Sequence, residues 1–125
     1  FKHISLTEMI RDLMLCWVDL FNKKEASLLA DLYHEEAINF QVATGIKRIG
    51  KKDILEMFRY EFEHFDMVCQ PQRLIIEGNE AVLEWKDPNG LEGCGFFTFE
   101  GNKIMHQKGY WDRWSFEQKQ GKEYN

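Results

Sequence analysis

The sequence is short of positive charge, of cysteine and of recognisable cofactor motifs, and each shortage removes a class of function. Sixteen Lys and Arg stand against twenty-one Asp and Glu, a formal net charge of -5. That sign repels nucleic-acid phosphates, so no nucleic-acid partner is expected. Cys16, Cys69 and Cys94 are an odd set, far apart and each among apolar neighbours. They read as reduced core thiols of a cytoplasmic protein rather than a disulfide framework. His3, His34, His64 and His106 are scattered. No pair has metal-ligand spacing, and no metal site is expected. There is no glycine-rich phosphate cradle, Walker pattern or G-x-S-x-G elbow, so no cofactor is implied. No apolar run approaches the ~20 residues of a membrane helix, and no membrane partner is expected. The residues given start at Phe1 without an Arg/Lys-then-apolar leader.

What is present fits one compact domain spanning 1–125. Hydrophobic residues make up 44% and charged residues 30% of the chain, a balance that excludes a disordered or collagen-like polymer. The ten Phe, four Tyr and four Trp are more aromatic surface than a small solid core requires. Such rings also build concave ligand sites.

Periodicity orders the elements. Ser5 and Glu8 form a capping box flanked by Ile4 and Met9, and apolar residues from Leu6 to Phe21 recur at three- and four-residue steps, predicting a long amphipathic helix to about residue 22. Asn22 with Glu25 predicts the cap of a second helix burying Leu28, Leu29, Leu32 and Tyr33. The alternation from Ala37 to Val42 predicts a short strand, and Gly45 and Gly50 bracket a loop. Helical spacing returns from Lys51 to about His64, with Ile54, Leu55, Phe58 and Phe62 on one stripe. Strands near 67–77, 80–87, 91–100 and 103–113 should form an antiparallel meander, with Pro71 marking an edge or bulge. The order α-α-β-α-β-β-β-β predicts an α+β domain with three N-terminal helices on one face of a curved sheet. Residues 117–125 read as a frayed polar tail.

Strand parity nominates pocket walls. Ala81, Leu83, Trp85 and Asp87 share one face, as do Gly93, Gly95, Phe97 and Phe99, and these faces should meet the helices. Trp17, Phe21, Phe58 and Phe62 are placed to meet Trp85 and Phe97, and Tyr33 is a further ligand-binding candidate. Read alone, each ring is equally at home in an ordinary core. On the last strand His106, Lys108, Tyr110 and Asp112 share a face. That row is either a polar pocket wall or a solvated face on which Asp112 pairs with Lys108. Lys47, Arg48, Lys51 and Lys52 form a small basic cluster, an anion attractor or simply an exposed loop.

The run Leu29-Ala30-Asp31-Leu32-Tyr33-His34-Glu35-Glu36-Ala37, the helix start Gly50-Lys51-Lys52-Asp53-Ile54 and the strand end Tyr110-Trp111-Asp112 resemble the SnoaL-like branch of the nuclear transport factor 2-like superfamily. The resemblance covers nearly the whole chain. It implies a cone-shaped, cystatin-like roll, with three helices closing a bent sheet around an apolar pocket. It also implies a functional aspartate near the end of the final strand, the position Asp112 occupies. A carboxylate among Trp and Phe loses hydration, its pKa rises, and it can act as a base near neutral pH. The expectation is therefore a domain enclosing a hydrophobic small molecule. If catalytic, it would transfer a proton next to a carbonyl without a cofactor, with Asp112 as base and Tyr110 or His106 stabilising the enolate. Asn39 and Gln41 stand where the steroid isomerase type carries an aspartate, which counts against that activity; they would orient a ligand or bond local backbone. No inward arginine supports an epoxide hydrolase. The alternatives are a non-catalytic carrier or sensor and a dimeric interaction module. Val82, Cys94, Phe96 and Leu74 or Ile75 on the outward sheet face suggest a homodimer packed sheet to sheet.

Overall fold

Residues 4–124 are described by a computed structural model; His3 and Asn125 lie outside them. Ser5 caps α1 (Leu6–Asn22), its Oγ accepting the Glu8 N–H at 3.1 Å, and Ile10, Met14 and Trp17 form the helix's buried stripe. Asn22 does not cap the next helix. Its amide instead accepts from the Cys69 N–H and donates to the Cys69 carbonyl, at 2.7 and 2.9 Å. The second helix, α2 (Ala26–Ala30), is correspondingly short and lacks a side-chain cap. Leu32 and Tyr33 fall beyond it, and Tyr33 opens β1 (Tyr33–Gln41).

The stretch expected as a loop is a short strand, β2 (Ile46–Ile49), antiparallel to β1. Then come α3 (Lys51–His64), β3 (Gln70–Glu77), β4 (Glu80–Lys86), β5 (Glu92–Glu100), β6 (Lys103–Trp111) and a fourth helix, α4 (Arg113–Gln120). The six strands form one sheet in the order β2-β1-β6-β5-β4-β3. The meander β3 to β6 is antiparallel as its turns predict, and Pro71 sits beside a register shift. The seam between β1 and β6 is parallel. β1 and β6 are connected through α3 and the meander, so the chain can bring them together in the same direction.

The helices cover one sheet face. Ile10, Met14 and Trp17 from α1, and Ile54, Met57 and Phe58 from α3, meet Leu83, Phe97 and Ile104 in the main core. Of the expected contacts between helix and sheet rings, Trp17 meets Phe97 edge-on at 5.5 Å; among the helix rings themselves, Trp17 stacks on Phe21 at 5.1 Å and Phe21 meets Phe62 at 5.3 Å. Each such pair adds about 0.5–1.5 kcal/mol beyond its buried area.

A second apolar cluster of Phe65, Leu91, Phe116 and Tyr124 lies at the other end of the sheet. It corrects the expectation of a frayed tail. Asp112 caps α4, Gly121 closes it with a left-handed φ of 73°, and Tyr124 is only 4% exposed. Arg113 Nη2 donates to the Tyr124 carbonyl at 2.8 Å and the Tyr124 N–H to Glu117 Oε2 at 2.7 Å. A tail that buries an aromatic ring and satisfies its backbone does not fray.

The cysteines do not share one environment. Cys69 is buried, and desolvation pushes its thiol up to about 12; Cys94 is half-buried and Cys16 exposed. Cys16 falls off the Ile10, Met14, Trp17 stripe. The basic cluster disperses: Lys51 pairs with Asp31 at 2.8 Å, and Lys47 lies over the Phe40 ring at 5.9 Å. His34, Glu35 and Glu36 lie in β1. No helix among the described residues is long and apolar enough to cross a membrane.

Candidate functional site

A cavity of about 100 Å³ separates the two apolar clusters. Trp17 and Phe21 from α1, Phe58 from α3 and Trp85 and Phe97 from the sheet line it. Phe116, Gln120 and Tyr124 of the C-terminal segment close another side. Phe62 packs behind Phe21 and Phe58 rather than on the cavity wall.

The last strand presents the opposite face from the one expected to carry the chemistry. Gln107 and Gly109 are buried and line the cavity with Trp111, whereas His106, Lys108 and Tyr110 are exposed on the outer sheet face. The cause is the register shift between β5 and β6, where Phe99 pairs with Ile104 and Thr98 with His106, leaving Met105 as an extra residue. Asp112 lies past the strand, exposed. Its Oδ2 accepts the Ser115 N–H at 2.8 Å and the Ser115 hydroxyl at 2.5 Å. Those two bonds hold its carboxyl below the usual range. A solvated helix cap is not a desolvated base. No ion pair joins it to Lys108 among the described residues.

Asn39 and Gln41 bond other side chains rather than local backbone. Trp111 Nε1 donates to Gln41 Oε1 at 2.9 Å, Gln41 Nε2 to Asn39 Oδ1 at 2.7 Å, and Asn39 Nδ2 to Gln107 Oε1 at 3.0 Å. Trp17 Nε1 donates to the Tyr33 hydroxyl at 3.0 Å, and that hydroxyl donates to the same Gln107 oxygen. Tyr33 is thus buried behind the wall as a supporting residue, its hydroxyl pushed up by desolvation and only partly drawn back by the Trp17 hydrogen bond. The network fixes the Gln107 carbonyl end from two sides. Its amide NH₂ has no partner among the described residues, and no fully buried polar atom is left unpaired. Since Gln107 is 8% exposed and lines the cavity, that donor faces the cavity. A Cβ at Gly109 would overlap the Gln41 amide, which would have to shift out of its hydrogen bonds.

The acid in the cavity is Glu61, which sequence reasoning passed over. It is 8% exposed, and its Oε2 accepts the Tyr124 hydroxyl at 2.7 Å. Desolvation pushes its carboxyl up to about 7, against the pull of the Tyr124 hydrogen bond and the Arg48 charge. The signal was spacing: Ile54, Met57, Phe58 and Glu61 make the buried stripe of α3. Asp87, also in the wall, is occupied by the N–H groups of Asn89 and Leu91, both at 2.9 Å. The arrangement therefore offers one hydrogen-bond donor for a ligand oxygen and one carboxyl able to take or give a proton near neutrality. Among the described residues, no three His, Cys, Asp or Glu gather as metal ligands.

The sequence profile of the SnoaL-like domain matches residues 16–107. No curated protein matches the chain. Among solved structures, a hypothetical protein with a ketosteroid isomerase-like fold from Catenulispora acidiphila, in complex with trimethylamine, superposes with a TM-score of 0.78 at 12% identity over 88% of this chain and 92% of that one. TerC co-crystallised with polyporic acid gives 0.75 at 15% identity, over 86% and 94%. An NTF2-like protein of unknown function from Cytophaga hutchinsonii gives 0.74 at 16% identity, over 91% and 96%. At these identities the likeness is one of fold. The profile match stops before Asp112, α4 and Tyr124.

Proposed function

The chain belongs to the SnoaL-like domain family, and from that premise we propose that it encloses a small organic molecule and moves a proton on it, with Glu61 as the acid-base group. One observation carries the reading: a buried carboxyl, held on one oxygen by Tyr124, shares a cavity with an unpaired amide donor of Gln107. A carbonyl oxygen of the ligand accepts from Gln107 Nε2, while Glu61 removes a proton from the adjacent carbon. Negative charge developing on that oxygen is met by the donor, which Asn39 and Tyr33 hold in place from the carbonyl end. With its pKa near the working pH, Glu61 is useful in both protonation states. Two proteins of the same fold, one holding trimethylamine and one polyporic acid, support a small-molecule role.

The test is deuterium exchange at the carbon next to the carbonyl of small ketones, followed by NMR. The expected result is exchange catalysed by the native protein and by Asp112→Asn, and lost in Glu61→Gln. Equal exchange with Glu61→Gln, or none with the native protein, would contradict it.

The outer sheet face supports a homodimer. Across neighbouring strands Ile75, Val82 and Phe96 form an apolar row, and Phe96 meets Tyr110 edge-on at 5.8 Å. Ile75 and Phe96 are each 48% exposed, as a face covered by a second copy would be in the isolated chain.

A further inference from the structure

We propose that the molecule taken by this cavity is a small organic cation, a protonated or quaternary amine. The inference rests on the small-molecule reading above and adds the charge of the ligand. Three features of the wall carry it.

The wall contains carboxylates but no Lys, Arg or His. Asp87 accepts two backbone N–H groups on its Oδ1, whereas Glu61 has only the neutral Tyr124 hydroxyl as a direct partner among the described residues. Arg48 acts on Glu61 only at longer range, without an ion pair. An ionised Glu61 therefore leaves the interior negative, which repels an anion and gives a neutral ligand little.

Aromatic rings share the rest of the wall with aliphatic, sulfur-bearing and amide side chains. Trp17, Phe21, Trp85, Phe97 and Trp111 line the cavity, and no protein cation lies over any of them among the described residues. The four cation–ring contacts among the described residues fall on Phe40, Phe65 and Tyr110. An aromatic face attracts an organic cation that has shed its water, most strongly when the ring is Trp. A cation in this hollow gains from the rings and from Glu61 together.

The third feature is size. The volume is about 100 Å³, against ~150 Å³ for an apolar cavity known to admit benzene. A ligand group of about five non-hydrogen atoms suits it, which is the scale of a tetraalkylammonium head.

Titration calorimetry with tetramethylammonium chloride, tert-butanol and trimethylacetate separates the possibilities. Tetramethylammonium and tert-butanol have the same number of non-hydrogen atoms and differ in charge. At about pH 8.5, tetramethylammonium should bind at least ~10-fold more tightly than tert-butanol, and trimethylacetate should not bind. At about pH 5.5, where Glu61 is protonated, the advantage should shrink. In Glu61→Gln it should vanish while tert-butanol binding persists. Equal or tighter binding of tert-butanol by the native protein at the higher pH would overturn the proposal and leave the small-molecule reading standing. Binding of none of the three would remove both.

Discussion

Glu61 makes its own contribution to how stability depends on pH, and the sign follows from its direction of shift. Its carboxyl titrates at about 7 in the folded chain against 4.5 ordinarily, so the folded state holds the proton more tightly. Below the ordinary value both states are protonated and the contribution is complete; as pH rises through 4.5 to about 7 the unfolded chain has released its proton and the folded one has not, so stability falls, then levels off. The loss is roughly 3 kcal/mol over that window. Chemical denaturation of Glu61→Gln should show no such decline, leaving the variant more stable than the native protein at about pH 8. Asp112→Ala should lower the melting temperature by weakening the start of α4, while ligand affinity stays unchanged; a loss of affinity without a loss of stability would return Asp112 to the site. Gly109→Ala should cost about 1–3 kcal/mol and disturb the Gln41 amide, measurable as a lowered denaturation midpoint. At this scale the sequence was half legible. Trp17, Phe21, Trp85 and Phe97 followed from spacing and parity because large rings obey them. Glu61 lay on the same stripe as Ile54 and Phe58, but its charge reads as surface until a buried partner such as Tyr124 is known.

Among the elements, α1, α3 and the meander were readable, since each carries a cap, a glycine turn or a sustained period. α2 and β1 were misdivided because the signal was ambiguous: Leu32 and Tyr33 fit a helical stripe, yet the chain turns extended at Tyr33, which inserts its hydroxyl between Trp17 and Gln107. On β6, one extra residue at Met105 reversed the meaning of the alternation, and no local residue type announces that bulge. The C-terminal segment was the largest omission. Its polar composition conceals Phe116 and Tyr124, which bury only against Phe65 and Leu91 far away in sequence. Tyr124→Ala should destabilise by about 3 kcal/mol through lost burial. Tyr124→Phe isolates the hydroxyl: without that hydrogen bond the Glu61 carboxyl should titrate still higher, visible as a shifted pH profile with the fold retained.

For the whole molecule, the sheet separates two roles. Its inner face and the helices hold a cavity with the desolvated Glu61 and a free amide donor; its outer face carries the apolar row through Ile75, Val82 and Phe96. Light scattering should give the mass of a dimer for the native protein and of a monomer for Phe96→Glu, with cavity binding unchanged by the substitution. A native monomer at micromolar concentration would contradict the sheet-to-sheet pairing. Everything proposed for the interior depends on the state of a single carboxyl. Carbon-13 NMR titration of the Glu61 side chain, assigned through Glu61→Gln, measures it directly. A midpoint near 7 is the predicted result, and an ordinary midpoint near 4.5 would contradict the account.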